Sequence, residues 1–500
     1  MNENPLDRLK ALLGEVYDLN ATLSLLGWDQ LTYMPGGGAE ERGSAMATIS
    51  RIMHLKLTSD ELLKCLEECE KQTTGLPDDS DDYCLVKVTR REVTRRTRIP
   101  SKWVTEFAEA TAIGQDKWER AKSTSDFPCF QPYLEKIIEL RREYASFFQP
   151  YDHIYDPLLD EFEPGLKTRD VQKIFEVLRE DQVSLIRELS EKPQVDSSFL
   201  YQYFPENAQW EFGSGVVSSM GFDWNRGRED SSAHPFTTTI GMDDVRITTR
   251  VLPENLSSAL FSTIHEGGHA LYELGFSRKL KRTPLATGAS MAVHESQSRL
   301  WENLVGRSRS FWVHYYPKLQ LLFPAQLANV PLDIFYKGIN RVEPSLIRTE
   351  SDEATYNLHI MLRLELEIAL MERKIEVRDL PGLWKERMNE FLGVIPKDDV
   401  HGVLQDIHWA GGMVGYFPTY ALGNVISAQL WECIQKNIPD LDDHISQGRF
   451  EPLLDWLRVN IHTHGAKFET QELVKRVTGT PIDPQPYLRY LRTKFTEIYS

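Results

Sequence analysis

The chain predicts a mainly α-helical fold with a small β-hairpin beside a helix that carries paired histidines. Three observations carry this. Apolar residues recur at helical spacing over most of the 500 residues, and one short central stretch is rich in β-branched residues instead. The third is His265-Glu266-Gly267-Gly268-His269, which sets two imidazoles four positions apart and so on one helical face.

Residues 5–27, 38–72, 82–98, 101–122 and 129–148 read as amphipathic helices. The polar loop 73–79 and the prolines at 100 and 128 separate them, since proline lacks an amide donor and clashes with a preceding helical turn. Helices resume at 168–191, 295–306, 354–374, 380–392, 424–436 and 466–477. Between them, 234–240 and 245–251 flank the turn sequence Gly241-Met242-Asp243-Asp244, which predicts the hairpin. A hairpin edge beside a metal site can bind a peptide as an added strand through main-chain hydrogen bonds. The other reading is a sheet that only braces the neighbouring helix.

Leu260, Phe261, Ile264, Leu271 and Leu274 place the HEGGH segment on a helix that Gly275 ends. Its spacing is the HExxH pattern of zinc peptidases: His265 and His269 as ligands, Glu266 beside the metal's water as general base. Gly267 and Gly268 each cost about 1 kcal/mol relative to Ala inside a helix. Something must therefore approach that backbone closely, either a second helix or the substrate.

Two histidines need a third protein ligand. The pattern HExxHxxGxxH fails, because Tyr272 and Gly275 stand where its Gly and His belong. The alternative is a glutamate on a following helix, and Glu295 in His294-Glu295-Ser296-Gln297 lies on such a helix, closed by Gly306. His294 reads either as a partner behind the ligands or as a core histidine.

Composition narrows the setting. A hydrophobic content of 41% with 26% charged residues describes a chain able to bury a large core. The net charge of −17 argues against nucleic acid as a partner. No apolar stretch reaches a membrane span, and no secretory leader is visible at the start. Five cysteines, an odd and sparse count, point to reduced thiols in the cytoplasm. Cys65 and Cys69 read as buried apolar residues, since no second pair completes a zinc site. The basic run at 87–98 has helical spacing and reads as a solvated face, with a subunit or substrate contact as the alternative.

Further motifs accompany HEGGH and HESQ. They are Trp28-Asp29-Gln30-Leu31-Thr32-Tyr33-Met34-Pro35, His234-Pro235-Phe236, Asp244-Val245-Arg246-Ile247-Thr248, Ile347-Arg348-Thr349-Glu350-Ser351-Asp352 and Gly402-Val403-Leu404-Gln405-Asp406-Ile407-His408-Trp409. In this order they resemble the WDQxTxMP, HPF, DxRxT, I/VRxxSD and GxxQDxHW motifs of the carboxypeptidase Taq family, over nearly the whole chain. The resemblance implies a single helical gluzincin fold around a deep active-site groove, one catalytic domain spanning residues 1–500. It further implies a zinc-dependent carboxypeptidase of broad specificity that releases single C-terminal amino acids, and a homodimer. The cofactor that the resemblance implies is one Zn2+ per chain, with Co2+ as a substitute.

A carboxypeptidase also needs an oxyanion donor and an anchor for the terminal carboxylate. His408 and a tyrosine from the segment 415–420, Tyr420 ahead of Tyr416, are the donor candidates. An arginine suits the anchor, because its planar fork matches a carboxylate. Arg348 and Arg246 are the candidates, each with an ion pair to Glu350, Asp352 or Asp244 as the alternative. His234 is either a substrate contact or a structural histidine. Two other functions stand beside this one: a helical oligopeptidase cutting internal bonds, and a scaffold with a vestigial metal site. The intact Glu266 argues against the scaffold.

Overall fold

The computed structural model describes residues 4–500. Asn4 opens the first helix, α1 (Pro5–Thr32): its side chain accepts from the Leu6 amide, and Pro5 takes the position where no donor is needed. The expected helix 38–72 is two, α2 (Ala39–Leu57) and α3 (Asp60–Thr73). Ser59 makes the break, since its hydroxyl accepts from the Leu62 amide and starts a new helix there. α4 (Asp81–Arg98), α5 (Ser101–Thr124) and α6 (Phe127–Ser146) follow within a few residues of expectation.

Helices Thr168–Ser190, Tyr356–Met371, Leu380–Leu392, Pro418–Asn437 and Thr470–Thr478 match the later expectations. Pro418–Asn437 starts well before residue 424, so Tyr420 belongs to its first turn rather than to a loop. Longer helices outside the expected segments are Glu206–Met220, Arg309–Leu322, Glu451–Asn460 and Gln485–Ile498. Gly213 and Gly215 in the first and Pro317 in the second weaken any reading from propensity.

The hairpin is present but trimmed: β2 (Thr237–Gly241) and β3 (Asp244–Thr249) pair antiparallel, with Thr237 opposite Ile247. A third strand, β1 (Gly227–Ser231), pairs parallel to β3 and gives the order β1-β3-β2. Its sequence, Gly-Arg-Glu-Asp-Ser, carries no β-branched residue, so nothing in it marked a strand. The order leaves β2 at the sheet's edge.

The buried apolar side chains form one continuous cluster from Leu6 to Tyr499. The HEGGH helix (Leu256–Leu274) runs through it, with 14 of its 19 residues buried. The two glycines are explained by helix packing. A Cβ at Gly268 would lie 2.7 Å from Ser298 Cα and 2.8 Å from the Gln297 carbonyl oxygen. One at Gly267 would meet only side-chain methyls, those of Val217 at 3.1 and 3.2 Å and that of Met220 at 3.6 Å. Ser298 and Gln297 belong to the HESQ helix (Met291–Arg299), so Gly268 sets how closely the HEGGH and HESQ helices approach.

This yields a graded prediction. Gly268→Ala destabilises the fold by about 1–3 kcal/mol, the usual cost of overpacking against backbone that cannot yield. Gly267→Ala costs less, because a valine side chain can shift. Denaturant midpoints of the two variants decide it; equal midpoints would mean that helix contact does not demand the second glycine.

Candidate active site

Asn255 starts the HEGGH helix by accepting from the Ser257 and Ser258 amides, and Gly275 closes it. Ser290 starts the HESQ helix by accepting from the Val293 amide. The buried Glu163 carboxyl also accepts from the Ala292 amide at 2.6 Å and from the Thr470 hydroxyl. Burial pushes that carboxyl up to about 7. Past Arg299 the helix widens into a π-helical segment, Leu300–Val305, before Gly306.

These two helices bring His265, His269 and Glu295 together. The Oε2 atom of Glu295 lies 3.6 Å from His265 Nε2 and 3.5 Å from His269 Nε2. The three ligand atoms lie within 4.8 Å of one another, and two imidazoles with one carboxylate form the donor set of a catalytic zinc site. The residues therefore fit a divalent metal.

The far side of each imidazole is also held. His265 Nδ1 donates to Glu302 Oε2 at 2.9 Å, which leaves Nε2 as the free lone pair. His269 Nδ1 lies 2.6 Å from His294 Nδ1, and His294 Nε2 lies 2.7 Å from Glu273 Oε1. One proton arrangement satisfies that chain and frees His269 Nε2: each ring donates toward Glu273. His294 thus stands hydrogen-bonded between His269 and Glu273 rather than packed as an unpartnered core histidine. Burial opposes the charge on Glu295, but Arg299 and the imidazoles outweigh it and hold the carboxyl below the usual range. Glu266 is also buried, which raises its carboxyl, while Thr237 on β2 donates to its Oε2 at 2.7 Å.

His265, His269 and Glu295 open onto a cavity of about 1850 Å³. Its lining includes Glu266, Arg348, Tyr416, Tyr420 and the β2 residues Thr237–Thr238-Thr239. Arg348 is 6% exposed, and its ion pair is none of the three expected. Its Nε and Nη2 donate to Asp406 Oδ1 at 3.0 and 2.8 Å, and Nη1 donates to Tyr356 at 2.9 Å. Asp406 also accepts from the fully buried Arg363, 2.7 Å from its Nε. Burial works against the charge on Asp406, and the two guanidinium groups hold its carboxyl far below the ordinary range.

His408 lies one layer behind the wall, 3.1 Å from the Tyr420 hydroxyl, and burial lowers its imidazole to about 4. Arg246 stands outside the cavity lining. It donates through Nε and Nη2 to the two oxygens of Asp244, both at 2.8 Å, and lies 4.2 Å over the Trp28 ring. His234 is exposed and also outside the lining, where its carbonyl accepts from Ser232. The basic run on α4 is not an open solvated face: Arg90 pairs with Glu70, Arg91 with Asp160 and Arg96 with Glu92, while Lys87, Arg91 and Arg96 line the cavity. Cys65 and Cys69 are buried and free.

Sequence reasoning missed Thr237, Arg299, Glu302 and Tyr356. Arg299 and Glu302 follow Glu295 by four and seven positions, a helical-face signal that could have found them.

The family model for carboxypeptidase Taq (M32) metallopeptidases matches residues 8–495. The chain belongs to this family. It is 41% identical to thermostable carboxypeptidase 1 of Thermus thermophilus, over 95% of each chain. It is 36% identical to carboxypeptidase 1 of Bacillus subtilis, over 98% of this chain and 97% of that one. Among solved structures, the M32 carboxypeptidase from Deinococcus radiodurans R1 superposes with a TM-score of 0.97 at 38% identity, covering 99% of this chain and 100% of that one. A Pyrococcus furiosus carboxypeptidase structure gives 0.95 at 36% identity, over 99% of each chain. As a member of the M32 family the protein is a peptidase that works with a metal.

In this M32 peptidase Asp406 is the single anion between two buried guanidinium groups. Removing one partner of a buried ion pair costs about 3–5 kcal/mol, so Asp406→Asn should lower stability by that order. A denaturation curve within about 1 kcal/mol of wild type would show that water or a rearranged side chain can replace it.

Proposed function

We propose that this protein is a zinc-dependent carboxypeptidase of broad specificity that releases single amino acids from free peptide C-termini. The observation that carries the reading is that the His265–His269–Glu295 cluster, the buried base Glu266 and the buried Arg348 all line one cavity. When bound, the metal supplies a Lewis acid that acidifies water and polarises the scissile carbonyl. Glu266 keeps Oε1 for the attacking water, because Thr237 holds Oε2. It takes the proton as the C–O bond forms and returns it to the leaving amine as the C–N bond breaks.

Arg348 has five N–H donors, of which three go to Asp406 and Tyr356. One remains on each terminal nitrogen, the pair that matches a carboxylate. Tyr420, with His408 behind it, suits the role of oxyanion donor. Burial raises its phenol well above the ordinary value, so it stays protonated and able to donate. Arg246 and His234 fit roles in holding the sheet better than direct substrate contact. The β2 edge offers main-chain groups to a peptide of any sequence, which suits broad specificity.

The continuous core supports residues 1–500 working as one catalytic domain. Five free cysteines suit a reducing cytoplasm. Among the described residues no helix is long and apolar enough to cross a membrane. A homodimer is proposed on the family resemblance alone.

Glu266→Gln should keep one metal per chain while kcat falls at least ~100-fold, the usual contribution of a general base. Loss of the metal instead would reassign Glu266 as a ligand. Wild-type protein free of metal, or active in a chelator, would overturn the metal centre altogether.

The substrate terminus decides between a carboxypeptidase and an oligopeptidase. Amidating the peptide's C-terminus leaves a buried guanidinium unmatched, which costs about 2–5 kcal/mol, or roughly 30- to 5,000-fold in kcat/KM. Blocking the N-terminus should change little. Arg348→Ala should bring acid and amide substrates nearly level. Equal cleavage of acid and amide by wild type, or early release of internal fragments, would favour the oligopeptidase.

A further inference from the structure

Glu295, Arg299 and Glu302 lie at intervals of four and three on one helical face, and all three side chains line the cavity. Glu295 divides its oxygens. Oε2 faces both imidazoles, at 3.6 and 3.5 Å, whereas Oε1 accepts from Arg299 Nε at 2.7 Å. The same guanidinium donates through Nη1 to Glu302 Oε2 at 3.1 Å, the oxygen that holds His265 Nδ1. Its carbon lies 4.5 Å over the Tyr356 ring, which covers one face of the group. A side chain that reaches two carboxylates and stacks on a ring at once needs the planar fork of arginine.

A carboxylate free to turn can offer a cation one oxygen or two. A hydrolytic site of three protein ligands needs a position left for water, and a second carboxylate oxygen competes for it. We propose that Arg299 is a positioning residue that confines Glu295 to a single coordinating oxygen and, through Glu302, sets His265 in the same strut. The inference rests on the metal reading of His265, His269 and Glu295.

The test compares wild type, Arg299→Met and Arg299→Lys, each loaded with zinc or cobalt. Elemental analysis gives occupancy, and circular dichroism of the metal-free chains checks the fold. X-ray absorption of the zinc forms counts oxygen and nitrogen neighbours, and visible absorption of the cobalt forms reports coordination number. Wild type should show about four light neighbours. Arg299→Met should still bind one metal, gain a neighbour and lose intensity in its cobalt bands. Its kcat should fall roughly 10- to 100-fold, the range for partners behind metal ligands, with KM nearly unchanged. Arg299→Lys, which can reach Glu295 four positions back but not Glu302 as well, should restore the wild-type neighbour count and only part of kcat.

Identical spectra for wild type and Arg299→Met would overturn the proposal. A raised KM at constant kcat would do the same, making Arg299 a substrate contact. If Arg299→Met does not fold, the wild-type neighbour count decides, and two carboxylate oxygens on the metal would sink the idea. Wild type that binds no metal would overturn the reading beneath it instead, and elemental analysis separates the two failures.

Discussion

Charge buried without a partner is the constraint on which the rest of this structure depends. Glu266, Glu295 and Glu302 are buried and His265, His269 and Arg299 half-buried in a helical body, where an unpaired charge is costly. The chain answers with alternation. Glu302 faces His265, Arg299 lies between two glutamates, and Glu273 terminates the histidine pair. Close helix contact makes this possible, which is why Gly268 must lack a side chain. The hydrogen bonds of the protein itself hold His265, His269 and Glu295 together.

The same logic joins the proposed metal cluster to the proposed carboxylate anchor. Tyr356 lies under Arg299 and accepts a hydrogen bond from Arg348, which pairs with Asp406, which pairs with Arg363. Each member is fixed by its neighbours, so the spacing between the ligands and Arg348 is set by packed side chains rather than by a mobile loop. On the proposed function that spacing acts as a ruler. It puts the bond next to a terminal carboxylate at the reactive position and offers nothing comparable to a mid-chain peptide bond.

What could be read from the sequence was what helical or strand periodicity encodes. Four-residue spacing put His265 and His269 together, and the apolar pattern around Glu295 placed it on a helix able to meet them. Asp244 and Arg246 alternate on β3, so their pairing follows from strand geometry, as one of the two readings held. Arg348 was legible as an arginine in a motif, but its partner was not. Asp406 lies 58 positions downstream, and only the folded chain brings it near. Ser59 broke one long helix through a single side-chain cap, an effect that apolar periodicity does not register. β1 is a strand only because β3 offers it an edge.

A small sheet inside so helical a protein has a physical reason on this reading. Helices satisfy their own backbone groups and so have nothing to offer a peptide's main chain. A strand at a sheet's edge does, and β2 is the edge strand that lines the cavity. Thr237 makes the placement chemical as well as geometric. Its backbone belongs to that edge while its hydroxyl holds Glu266. A peptide laid along β2 is therefore indexed to the same residue that orients the base. Register and proton transfer are then set by one side chain, whatever the sequence of the peptide.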